Sequence, residues 1–248
     1  MRLTFKVTKK CLDLRKVFCA MERKKYLIVT AGGVGTRMGA AVPKQFLELG
    51  GKPILRVTLE KFMAAVPGLH IITVLPEASV SSWRQYCIKA GFTCPQRLVK
   101  GGFTRFHSVK NALAFVPDGA LVAVHDGVRP LISAGCIKRL FEEAASVEAL
   151  VPVMPVTDTL KVLDKDASGR LVSSGEQVDR SRYFGAQTPQ IFWSERIKEA
   201  YTQGYDTLFT DDASVAERYG IPLSFTEGER YNIKITTPED LTLANALL

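Results

Sequence analysis

Three glycines within four positions, Gly32, Gly33 and Gly35, followed by Arg37 and Lys44, are the residues of this chain whose types and spacing first suggest chemistry. A backbone that wraps a polyphosphate must reach positive φ and bring its N–H groups close to oxygen without a Cβ in the way, which glycine permits. Arg37 offers a planar fork of donors and Lys44 a compact point charge, and both suit charge that builds up on a phosphoryl group. The loop would supply position and the cations stabilisation.

Residues 26–30, YLIVT, are a short apolar, β-rich run directly before these glycines, so the loop is read as leaving the end of a strand. Two better-known glycine motifs do not fit. A Walker A loop needs Lys followed by Ser or Thr, and no such pair follows here. The dinucleotide fingerprint needs GxGxxG, whereas Gly33, Gly35 and Gly39 give GxGxxxG without the acidic residue about 20 positions on.

Downstream, helical and strand patterns alternate. Residues 54–66 carry Leu55, Leu59, Phe62 and Met63 at helical spacing, 70–75 reads as a strand, 80–90 as a helix and 94–99 as a short strand. A helix is expected over 104–115, a strand over 121–125, a helix over 134–145 and a strand over 149–154. This alternation predicts an α/β, Rossmann-like, doubly wound fold with a mainly parallel sheet. Ligands in such sheets sit outside the carboxyl ends of the strands, where Gly101-Gly102 and Asp126 also fall. A carboxylate at a strand tip facing a phosphate loop is a natural ligand for Mg²⁺, and Arg129 three residues on could clamp a phosphate. A capping Asp with a surface Arg is the alternative reading of that segment. His125 is read as a packing or hydrogen-bonding neighbour, Phe192 and Trp193 as core, and Asp240 as a helix-cap residue after Thr237 and Pro238.

From 155 to 185 the pattern changes to a polar stretch with a turn at 166–169. A hairpin of this length cannot bury itself in the parent core, so an arm reaching another subunit is expected. Residues 232–236 read as a last strand.

Apolar residues make up 46% and charged residues 23%, as in a soluble globular protein, and no apolar run approaches a bilayer span. The net charge of +8 resides mostly in residues 1–25, where nine Lys or Arg face Asp13 and Glu22. The nearly neutral remainder excludes a general nucleic-acid binder. Met21 is expected to be the natural start, with 1–20 a poorly ordered or non-native extension and 21–248 a single domain. Five cysteines with no metal-type spacing point to reduced thiols and a cytoplasmic location.

The stretch A-G-G-V-G-T-R-M at 31–38 with Pro43-Lys44 resembles the signature of the sugar-nucleotide pyrophosphorylases and cytidylyltransferases. G-G-F-T-R-F-H-S-V at 101–109 is similar to the second cytidylyltransferase motif, although Phe103 stands where members often carry an acidic or polar residue. V-D-R-S-R with A-Q-T-P-Q at 178–190, T-D-D-A-S at 210–214 and N-I-K-I-T-T-P-E-D-L at 232–241 resemble the 2-C-methyl-D-erythritol 4-phosphate cytidylyltransferases of the non-mevalonate isoprenoid pathway.

The resemblance implies Mg²⁺-dependent transfer of a cytidylyl group from CTP to methylerythritol phosphate, in a homodimer joined through an arm at about 156–184. It implies Arg37, Lys44 and Lys234 as catalytic residues, and Ala31, Gly32, Gly33, Gly35, Gly102, Ser108 and Asp126 at CTP, with Asp126 on the metal. Arg129, Thr159, Arg180, Thr188 and Thr210 are implied at the second substrate, with Thr159 and Arg180 coming from the partner's arm. Ribitol-5-phosphate cytidylyltransferases share most of these motifs, and Gly127-Val128 leans toward them, whereas 178–180 and 210–214 lean toward the isoprenoid enzymes. A silent nucleotide-binding protein on the same fold would have lost the charged set, which is intact here.

Overall fold

The computed structural model describes residues 23–32 and 43–248. Gly33, Gly35, Arg37 and the 1–20 segment therefore lie outside the described residues. The first half alternates strand and helix: β1 (Lys25–Thr30), α1 (Ile54–Ala65), β2 (His70–Leu75), α2 (Glu77–Lys89), β3 (Gln96–Lys100), α3 (Arg105–Leu113), β4 (Leu121–Asp126), α4 (Ala134–Ala144) and β5 (Ala149–Pro155). After β5 come β6 (Leu163–Lys165), β7 (Leu171–Ser173), β8 (Phe184–Ala186), β9 (Gln190–Trp193), α5 (Ser194–Ala200), α6 (Asp212–Tyr219), β10 (Ser224–Glu227) and α7 (Pro238–Ala246).

The main sheet runs in the order β8-β5-β9-β4-β1-β2-β3, with β10 pairing β5 on its other side. The pairs β1–β4, β1–β2, β2–β3 and β5–β10 are parallel, while β9 and β8 run antiparallel to their neighbours. The fold is thus the α/β, mainly parallel arrangement expected. The β1 sequence KYLIVT explains its central place. Leu27 and Val29 enter the apolar cluster under α1 and α4, and Ile28 enters the cluster under α3 and α5, as a period of two requires. All three are fully buried, so this strand is apolar on both faces, as a central parallel strand must be.

Two registers position the site. Thr30 lies opposite Asp126 across β1–β4, which sets the two strand tips level at the carboxyl edge of the sheet. The neighbouring β2–β3 register places Leu75 opposite Lys100, so the Gly101-Gly102 turn opens on the same edge.

Between β5 and β8 the chain leaves the sheet. Val156 N–H bonds to the Tyr183 carbonyl at 3.2 Å at the base, and β6 and β7 pair antiparallel with every residue exposed. Gly169 has φ +80, a value that an L side chain adopts only with strain, and it makes the hairpin turn expected at 166–169.

The strand expected at 232–236 is not formed. Those residues are a loop whose Ile235 N–H bonds to the Val128 carbonyl at 2.9 Å and whose Ile235 side chain packs with Val128, Leu49 and Ile54. The alternating N-I-K-I-T pattern reflects this anchoring rather than a ladder. At α7, Thr237 and Asp240 form a capping box, and Asp240 also accepts from Thr236 N–H at 2.7 Å, the structural role expected of it.

Candidate active site

Asp126 ends β4, and its side chain is the charged centre of the strand-tip edge. Lys234 Nζ lies 2.8 Å from Oδ2, Arg129 Nε 3.6 Å from Oδ2, and Arg105 Nε 3.6 Å from Oδ1. Thr30 Oγ1 is 3.4 Å from Oδ1. Burial opposes the charged form of this carboxyl, but Arg105, Lys234 and Arg129 outweigh it and hold the group well below the ordinary carboxylate range.

Each cation is held from behind. Arg105 Nη2 donates to the fully buried Asp212 at 2.6 Å, which also accepts from Tyr201 Oη at 2.6 Å. Burial lowers the proton affinity of Arg105, and Asp212 and Asp126 raise it further than burial lowers it. Arg129 Nη1 donates to the Asn232 carbonyl at 2.7 Å, and Asn232 Nδ2 donates to the Thr188 carbonyl at 2.8 Å. The 232–235 loop that carries Lys234 is in this way tied to both the turn after β4 and the 186–190 segment. Among the described residues at the two cavities, four cations, Lys44, Arg105, Arg129 and Lys234, face three carboxylates, Asp126, Asp211 and the Arg105-paired Asp212, a surplus of one positive charge. A largely desolvated site with a positive surplus is suited to an anion.

Thr188 is buried, accepts the Asp126 N–H at 3.1 Å and lies 3.1 Å from His125 Nδ1. His125 Nε2 lies 3.2 Å from the Arg129 carbonyl, and its ring packs against Phe62. Burial brings its pKa down to about 4 despite the adjacent Asp126, so the ring is neutral near pH 7. It packs and hydrogen-bonds, as its isolation in the sequence suggested.

Two cavities meet at this cluster. One, of about 340 Å³, is lined by Ala31, Gly32, Lys44, Gly102, Phe103 and Ser108 besides Arg105, Asp126 and Lys234. The other, of about 240 Å³, shares those last three residues and adds Arg129, Thr188 and Thr210. In the first, Ser108 Oγ accepts from Gly102 N–H at 3.0 Å and donates to the Thr104 carbonyl at 2.9 Å. A Cβ on Gly102 would lie 2.4 Å from His107 Cβ, so this turn is closed to any side chain. Gln45 Nε2 fixes the Ala31 carbonyl at 2.8 Å, tying the segment that bears Lys44 to the end of β1.

Of the sequence-predicted set, Ala31, Gly32, Lys44, Gly102, Ser108, Asp126 and Lys234 share the first cavity, and Arg129, Thr188 and Thr210 join Asp126 and Lys234 in the second. Thr159 and Arg180 lie exposed outside both cavities, with Arg180 Nη1 donating to the Thr157 carbonyl at 2.6 Å. Arg105, Asp212, Thr30 and Gln45 were not singled out from sequence. Arg105 stands inside the G-G-x-x-R motif and Asp212 inside T-D-D-A-S, so the motifs held them, but nothing local marked them as partners 107 residues apart.

Asp126 is the one carboxylate among the described residues lining the first cavity, and no cluster of three His, Cys, Asp or Glu suited to a metal occurs among them. A single carboxylate fits Mg²⁺ that arrives mostly coordinated by phosphate oxygens, and does not fit an ion caged by protein alone. No helix among the described residues is long and apolar enough to cross a membrane.

Residues 26–248 match the family model described as IspD: 2-C-methyl-D-erythritol 4-phosphate cytidylyltransferase. The chain is 47% identical to the protein of that name from Bacteroides thetaiotaomicron over 91% of this chain and 100% of the relative. It is 48% identical to the one from Porphyromonas gingivalis, over 92% of this chain and 99% of the relative. Among solved structures, the Thermus thermophilus enzyme of the same name superposes with a TM-score of 0.71 at 33% identity, covering 92% of this chain and 98% of that one. A second, a 4-diphosphocytidyl-2C-methyl-D-erythritol synthase, gives a TM-score of 0.75 at 28% identity, covering 92% and 99%. A match over nine-tenths of the chain means that this protein belongs to the IspD family of cytidylyltransferases.

Proposed function

We propose that this protein transfers the cytidylyl group of CTP to 2-C-methyl-D-erythritol 4-phosphate, giving the CDP-alcohol and pyrophosphate. The observation that carries the reading is the junction of two cavities at Asp126, Arg105 and Lys234: one walled by glycines and Lys44, the other by Arg129, Thr188 and Thr210. Two phosphorylated substrates placed in them would bring their phosphates together at that cationic junction.

A phosphate oxygen of the alcohol attacks the α-phosphorus of CTP. The bond from that phosphorus to the bridging oxygen breaks, and pyrophosphate departs with the electron pair. Such displacement asks the protein for alignment and charge compensation rather than a nucleophile. Lys44 and Lys234 neutralise charge at the reacting phosphates, joined by Arg37 from outside the described residues. Arg129 and Thr210 hold the alcohol phosphate and its hydroxyl groups, and Thr188 keeps the Asp126 backbone in place. Asp126 orients the cations and is the carboxylate among the described lining residues of the first cavity that would hold Mg²⁺, an ion that would shield the triphosphate charge.

The arm at 156–184 joins two copies, and Thr159 and Arg180 then reach the partner's second cavity. A cytoplasmic location accords with free Cys87, Cys94 and Cys136. Incubation with CTP, Mg²⁺ and methylerythritol phosphate tests the reading by ³¹P spectroscopy. Resonances of a pyrophosphate diester should replace those of CTP, and an unchanged CTP spectrum contradicts it.

A further inference from the structure

The cavity beside β1 has two chemically different ends. Around Asp126 it is ionic, with Arg105 and Lys234. Around Ser108 it is small and neutral, with Gly102 N–H on Ser108 Oγ and Gly32 so near that an added Cβ would lie 3.6 Å from that oxygen. At this neutral end stands Phe103, which lines the cavity yet is 103% exposed, the most exposed large apolar side chain among the described residues.

Its backbone is not free to swing. Gly102 is pressed against His107, Thr104 caps α3 and accepts from His107 N–H, and the Phe103 ring meets the His107 ring edge-on at 6.4 Å. Phe103 is thus an aromatic side chain held at the rim of the cavity, next to a turn that admits no side chain at Gly102.

We infer that Phe103 stacks on the nucleobase of the bound nucleotide and sets base affinity from the rim of the cavity. The inference rests on the proposed reading that CTP occupies this cavity. A triphosphate drawn to Lys44, Arg105 and Lys234 leaves its base at the neutral end, where Ala31, Gly32 and Gly102 line the cavity and Phe103 is the one aromatic side chain among the described lining residues. Stacking uses a π-face that every base has, so this contact strengthens binding without choosing between cytosine and uracil.

Steady-state kinetics of Phe103→Ala, Phe103→Leu and Phe103→Trp test it. In the alanine variant the KM for CTP should rise about tenfold and the Ki of UTP should rise in parallel. The Ki of inorganic triphosphate, which has no base, and the KM for methylerythritol phosphate should stay within twofold of wild type. Leucine should recover part of the loss, and tryptophan should recover it fully, with its fluorescence quenched by CTP. A KM for CTP within twofold of wild type in Phe103→Ala overturns the inference, as does a change in KM for CTP with no change in Ki for UTP, which would mean edge recognition. A fall in Tm of several degrees for the alanine variant would also overturn it, since it would mean that protein covers this ring. Wild-type turnover of CTP in the same assay keeps the functional reading standing whichever way Phe103 falls.

Discussion

Arg105 Nη2 lies 2.6 Å from the fully buried Asp212 while its Nε lies 3.6 Å from Asp126, so one guanidinium joins the strand-tip carboxylate to an acid on α6. Asp212 accepts in addition from Tyr201 Oη at 2.6 Å, which leaves both of its oxygens engaged. A buried acid with both oxygens paired can hold a partly buried cation rigidly, and the positive side of the site inherits that rigidity.

Removing either support should therefore destabilise the fold. Asp212→Ala leaves Arg105 without its main partner and should cost about 3–5 kcal/mol in urea denaturation. Tyr201→Phe removes one hydrogen bond to a charged group and should cost about 1.5–3 kcal/mol. Losses below about 0.5 kcal/mol in both would mean that the pairs are not maintained in solution.

Stability should fall in mild acid because of His125. Its ordinary pKa of 6.5 drops to about 4 in the fold, so between those values the unfolded chain binds the additional proton. The contribution is fully present above pH 6.5 and is lost as pH falls toward 4, amounting to about 3 kcal/mol over that window. Asp126 acts elsewhere: its depressed pKa gives stability present above its ordinary 3.8 and lost only on further acidification. His125→Gln should flatten the slope between pH 6.5 and 4, as read by chemical denaturation at a series of pH values. A slope equal to that of wild type would remove His125 from the account.

Lys44→Ala should lower kcat about 10²–10³-fold with a much smaller rise in the KM for CTP, because its charge matters most as negative charge develops on the phosphates. Initial-rate kinetics decide the point. A rise in KM alone would make Lys44 a ground-state binder.

The arm prediction concerns mixtures. If Arg180 serves the partner's cavity, Arg180→Ala and Lys44→Ala protomers combined after dissociation should regain about a quarter of wild-type activity, from the one intact site in each mixed dimer. No recovery, with mixed dimers demonstrated by mass spectrometry, would place Arg180 in its own subunit's site, and full activity of Arg180→Ala alone would place it in none.

Much of this architecture was legible because local pattern and burial agreed. Residues 70–75 are a strand at the boundaries expected, since an apolar run with β-branched residues in a central parallel strand has little competing structure. The last third was harder. N-I-K-I-T at 232–236 alternates like a strand, yet its Ile235 is drawn to Val128 and Leu49, so the segment became a loop carrying Lys234. The short helices α5 and α6 and the strand β10 went unassigned, being few residues long and stabilised by packing that sequence does not display. At the site, the glycines, Lys44 and Asp126 stood out by chemistry and punctuation. The Arg105–Asp212–Tyr201 support did not, because it is formed entirely by long-range approach.

The most direct test of the central claim is pyrophosphate release by the purified protein with CTP and Mg²⁺, comparing 2-C-methyl-D-erythritol 4-phosphate with ribitol 5-phosphate. Release is expected with methylerythritol phosphate and not with ribitol 5-phosphate. Release with ribitol 5-phosphate alone would keep the chemistry and overturn the substrate, and release with neither would contradict cytidylyl transfer itself.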